Sequence, residues 1–98
     1  MTHACVLTMD FRIPSSGSLK AKRAVVKHLV TSCRSRFRVA AAEVGFQDQW
    51  QRSELAFAAV ATSPGHVGEV LDSVERYVWS HPGIEVLSAA RAWLEGPA

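Results

Sequence analysis

Between Phe11 and Ala42 the chain has no Asp or Glu, and in all 98 residues it has only two cysteines, Cys5 and Cys33. That pair matches neither a disulfide framework nor a CxxC zinc pattern. Reduced thiols in a cytoplasmic protein are the expectation. No apolar run approaches the ~20 residues of a membrane span. The Met1–Cys5 start has no basic region ahead of an apolar stretch, so no signal peptide is expected. The four histidines, His3, His28, His66 and His81, show no HxxxH or HExxH spacing, and there is no GxSxG and no paired carboxylate. Catalysis is therefore not expected, nor is a metal or any other cofactor. What is present is one domain's worth of apolar material, 48% of the residues.

The missing acids define a charged segment. Arg12, Lys20, Lys22, Arg23, Lys27, Arg34, Arg36 and Arg38 give residues 11–42 a charge of +8, while the rest of the chain carries −6. The net charge of +2 hides this segregation. Uneven charge of this kind bears on partners and not on fold.

The hydrophobic pattern alternates over His3–Ile13, with Cys5, Leu7, Met9, Phe11 and Ile13 on one face, as in a half-buried strand. Pro14–Gly17 breaks it, and Ser18 can cap a helix running to about Arg36. Arg38–Phe46 and Ser53–Thr62 read as strands joined by a polar, Trp-bearing link. Ser63–Pro64 starts a second helix, to about Ser80, burying Val67, Val70, Leu71, Val74 and Val78. Ile84–Trp93 is the last strand, and residues 94–98 are expected to fray. The order βαββαβ, with right-handed crossovers, predicts a single α+β domain: a ferredoxin-like sandwich with two helices on one face of a four-stranded antiparallel sheet.

Two segments carry a resemblance. Ser18-Leu19-Lys20-Ala21-Lys22-Arg23-Ala24-Val25-Val26-Lys27 resembles the first-helix signature of the YlxP-like family of small bacterial proteins, a family of unknown function. Ala42-Glu43-Val44-Gly45-Phe46-Gln47-Asp48-Gln49-Trp50-Gln51-Arg52 resembles its second signature, departing at Phe46, where a polar residue is expected. The resemblance implies a ferredoxin-like fold and supplies no catalytic residues. Genes of this family commonly lie beside a ribosome-maturation factor, which implies work on RNA or the ribosome.

On a helical wheel Lys20, Arg23, Lys27, Arg34 and Arg38 fall within about 60°, provided the helix reaches Arg38. Phosphate binding needs such a row of cations. Lys20, Lys22 and Arg23 also sit at the positive end of the helix dipole, where each cation is disfavoured by about 0.3–1 kcal/mol. With Arg12, these residues form the candidate anion-binding set. The competing reading is a solvated face paired with acids of the second helix. Lys22 falls inside the apolar arc and is expected to snorkel from the helix end, or else to turn toward a partner or the adjoining loop.

The loop at 14–18 precedes a helix N-terminus and could hold one phosphate beside Arg12, as in acylphosphatases of the same fold. The signal is weak, with one glycine and no GxGxxG or Walker pattern, and a plain capping loop is the favoured reading. Asp48, Trp50, Gln51 and Arg52 suit a partner contact. Alternatively, Trp50 folds back over the sheet edge and Asp48 pairs with Arg52. Glu43 is expected to be solvated or to pair with Arg38 or Arg52. One sheet face shows Glu54, Ala56, Ala58 and Val60 of the third strand and Ala4, Val6 and Thr8 of the first, with no aromatic, which argues against the stacking platform of an RNA-recognition motif and suits homodimerisation through that face. The expectation is a non-enzymatic protein docking on structured RNA or the ribosome. The alternatives are a protein–protein module with an acidic partner and a small phosphate-handling enzyme.

Overall fold

Alternation at β1 (His3–Arg12) places Cys5, Leu7, Met9 and Phe11 on one side, and all four are buried. In the computed structural model, which describes residues 1–94, this strand is central. It pairs antiparallel with β3 (Arg52–Ala61) on one side and β4 (Glu85–Trp93) on the other. β2 (Ala40–Gly45) pairs antiparallel with β3, giving the order β2-β3-β1-β4. Helices α1 (Leu19–Phe37) and α2 (Pro64–Trp79) follow β1 and β3. This is the ferredoxin-like α+β arrangement.

The core lies between sheet and helices. Leu55 and Phe57 of β3 face Leu29 and Cys33 of α1 and Val67, Leu71, Val74 and Val78 of α2, all fully buried. Each such aliphatic or aromatic side chain contributes about 1.5–3 kcal/mol on burial. Both helices begin with a serine cap: Ser18 Oγ accepts from Ala21 N (3.0 Å), and Ser63 Oγ from His66 N (3.2 Å). Tyr77 of α2 ties the helices together, edge-on to Phe37 (5.8 Å) and beneath the Arg36 guanidinium (4.9 Å).

The largest departures from the expected boundaries lie at Arg38 and Leu94. Arg38 is not the next helical position. It caps α1 in the left-handed region (φ 55°), donating its N–H to Arg34 O, and β2 begins only at Ala40. The ladder does not fray at Leu94, whose N–H donates to Ala4 O (2.8 Å). Residues 95–98 of the expected tail lie outside the described residues. No described helix is long and apolar enough to cross a membrane.

The opposite sheet face carries Ala4, Val6 and Thr8 of β1 and Ala56, Ala58 and Val60 of β3. By register it also carries Ala40 and Ala42 of β2 and Ala90 and Ala92 of β4. Charged side chains on this face gather at one end, where Arg52 grips Asp10 in a bidentate pair (2.7 and 3.1 Å).

Both thiols belong to the core. Burial pushes Cys33 up to about 11 and raises Cys5 as well. At pH 8 the native protein is therefore expected to resist a water-soluble disulfide reagent, with both thiols reacting after denaturation. Rapid modification of either thiol in the folded protein would contradict this placement.

Candidate nucleic-acid interface

The first turn of α1 holds a lysine that does not reach solvent. Lys22 is completely buried, and its Nζ donates to Phe46 O (2.8 Å), Gln47 O (2.9 Å) and Arg52 O (3.3 Å) while pairing with Glu43 Oε2 (2.9 Å). Glu43 also accepts from the buried Ser53 Oγ (2.6 Å). The ammonium thus stitches the α1 N-terminus to both ends of the β2–β3 connection. Lys22 must be removed from the anion-binding set: its protons are committed, and it does not snorkel to the surface. Glu43 partners Lys22, not Arg38 or Arg52.

The connection is shaped around that ammonium. A bulge at Val44 shifts the β2–β3 register, and Gly45 follows where a Cβ would come within 2.9 Å of Glu54 Oε1 and 3.1 Å of its Cβ. Phe46 then takes φ 58°, a conformation uncommon for an aromatic residue, with its carbonyl on Lys22. The Arg52 guanidinium lies 4.2 Å over the Phe46 ring. Gln51 Nε2 donates to Pro14 O and Ser16 O (3.1 Å each), and Ile13 N donates to Gln51 O (2.9 Å). The 14–18 loop and the 46–52 connection therefore form one tied unit, with Ser16 buried inside it.

This separates the expected contact residues. Arg52 and Gln51 are ties within the unit, and Arg52 pairs with Asp10, not Asp48. Asp48 and Trp50 remain exposed at the tip, Trp50 at 56%.

Along α1, Lys20, Arg23, Lys27 and Arg34 are exposed and share the face beside β2. Arg34 fixes that orientation by donating to Ala41 O of β2 (2.6 Å). Among the described residues none of these four has a carboxylate within 4 Å. The acids of α2 do not neutralise them: Asp72 and Glu75 are held by Arg91 of β4 (2.8 and 3.3 Å), and Glu69 lines a cleft with Arg36 and Arg38. Two members of the expected set fall elsewhere. Arg38, through its left-handed cap, turns into a cleft with Arg36, His66 and Glu69. Arg12, one residue out of phase with buried Phe11, lies on the sheet face away from both helices, across from Arg52 and Glu85.

Both signatures thus meet through Lys22. Residues 4–91 match the model of a protein family described as "Protein of unknown function (DUF503)". The chain belongs to this family. It is also similar to the uncharacterized protein YlxP of Bacillus subtilis (strain 168), 38% identical over 81 residues, which span 83% of this chain and 88% of that protein. Within this DUF503 member, the Lys22–Glu43 pair joins the two segments. One supplies the ammonium; the other supplies the carboxylate and three carbonyls. Glu43 was the residue missed. Its signal was present: it shares strand parity with buried Ala41, so an acid and Lys22 both point inward.

Removing one partner of a buried ion pair costs about 3–5 kcal/mol. Lys22→Met is expected to lower unfolding free energy by that amount in urea titrations, and more than Lys20→Met, which should change it by under about 0.5 kcal/mol. Equal, small effects of the two substitutions would remove Lys22 from its structural role.

Proposed function

We propose that this protein docks on structured RNA through the exposed face of α1, with Lys20, Arg23, Lys27 and Arg34 contacting phosphates and Trp50 making a flanking contact. The observation that carries the reading is the row itself: four exposed cations on one helix, with no carboxylate partner among the described residues. Lys20, Lys27 and Arg34 recur every seven residues, about 10.5 Å apart along a rigid helix. A straight, preorganised row matches a folded phosphate backbone better than a flexible single strand. The apolar sheet face offers no aromatic for base stacking. The tied loops hold Trp50 near the Lys20 end without costing order on binding. The family description and the relative's name state no activity, so support comes from this geometry and from the implied link to ribosome maturation. On this reading the protein acts by binding, not by catalysis.

Co-sedimentation with ribosomal particles at low salt tests the proposal. Wild type is expected in the particle fractions, and the Lys20/Arg23/Lys27→Glu variant at the top of the gradient. Four phosphate contacts predict a loss of affinity of about a hundredfold between 50 and 200 mM salt. Wild type remaining at the top at low salt, or retention that survives nuclease digestion of the RNA, would overturn it.

Trp50→Ala should leave cooperative unfolding intact and weaken co-sedimentation. Loss of cooperative unfolding would instead place Trp50 among the structural residues.

A further inference from the structure

The two edges of the sheet are not equivalent. On β2, Arg34 already donates to an edge carbonyl, and the basic row of α1 stands beside it. Such charges protect an edge from pairing. On β4 the only charged side chain after Glu85 is Arg91, and it is turned onto Asp72 and Glu75. The bond from Leu94 N to Ala4 O sets the antiparallel alternation. Ser88, Ala90 and Ala92 use their backbone groups on β1, so Ala89, Arg91 and Trp93 point theirs outward.

β4 is also barely covered on its faces. Only Val86 is even partly buried along the strand. On the helix side an open slot of about 490 Å³ separates it from α2, lined by Trp79, Arg76 and the Arg91 pairings. Trp79, Leu87, Trp93 and Leu94 are between 44% and 62% exposed. The layer of helices stops short of the last strand.

We infer that β4 pairs antiparallel with β4 of a second copy, making a continuous eight-stranded sheet across a two-fold axis. Each α2 then flanks the paired strands, and the slots of the two protomers face one another. A nine-residue strand is about 30 Å long, and two layers are about 20 Å deep. The contact is therefore on the order of 600 Å² per protomer, at the lower end of specific interfaces. Electrostatics favours a second copy at this edge. The charges beside it, Asp72, Glu75, Arg76 and Arg91, balance, so two copies meet without repulsion. Pairing through β2 would instead press two basic rows together. With β4 at the axis, those rows lie at the far ends of the dimer.

Sedimentation equilibrium of the full chain at about 100 μM, free of nucleic acid, should give twice the 10.7 kDa monomer mass. Ala89→Pro removes an outward N–H and spares the β1 ladder. It should raise the dimer dissociation constant at least about tenfold with an unchanged circular dichroism spectrum, a loss of about 1.4 kcal/mol. Ala89→Lys, which places like charges near the axis, should do the same and covers the case in which the proline variant fails to fold. Ala58→Glu, on the open sheet face, should leave the dimer intact. A monomer at this concentration, or a dimer insensitive to both β4 substitutions, would overturn the inference. So would a dimer lost only in Ala58→Glu.

Discussion

A fully buried ammonium is costly unless every proton finds an acceptor and the charge finds a counter-ion. Lys22 meets both conditions with one carboxylate and three carbonyls, and those requirements explain the surrounding backbone. Val44 bulges, Gly45 admits Glu54, Phe46 turns left-handed and Arg52 presents its carbonyl inward. The same contacts offset an electrostatic misfit, since Lys22 is a cation in the first turn of a helix and opposes its dipole. Lys20 and Arg23 have no such compensation, which leaves them as the charges most in need of an external anion.

The sheet and helices were legible because their periods are simple. Cys5 through Phe11 alternate, Val67, Leu71, Val74 and Val78 repeat at helical spacing, and the structure buries both sets, leaving Val70 half-buried beside them. The row Lys20, Arg23, Lys27, Arg34 was legible for the same reason. Arg38 was not, because its place in the row required the helix to reach it, and a left-handed cap ends the helical phase at Phe37. The parity of Arg12 was legible, since its neighbour Phe11 is core, but that same parity turns it to the face away from both helices and out of the row.

Lys22 shows where sequence reasoning stops. Its position in the apolar arc marked it as unusual, but three of its four partners are backbone carbonyls, and a carbonyl has no residue type to signal it. Arg52 likewise depends on register, since its partner Asp10 sits diagonally across β1 and β3. The exposure of β4 was hidden for another reason. Its composition resembles that of an ordinary covered strand, and only the extent of α2 reveals that it is not.

The Lys22 contacts also bear on the order in which the chain folds. They join residues 24, 25 and 30 positions apart, across the whole of α1 and β2. A hairpin loop is commonly shaped by its own turn residues and can close within microseconds. Here the β2–β3 loop takes its form from a helix laid down earlier in the chain, so it reaches its native shape only after α1 has docked. The entropy of that long closure must be met before the ammonium's bonds repay it. The loop bearing Trp50 thereby depends on α1 for its native shape, and that shape reports that the helix is in place.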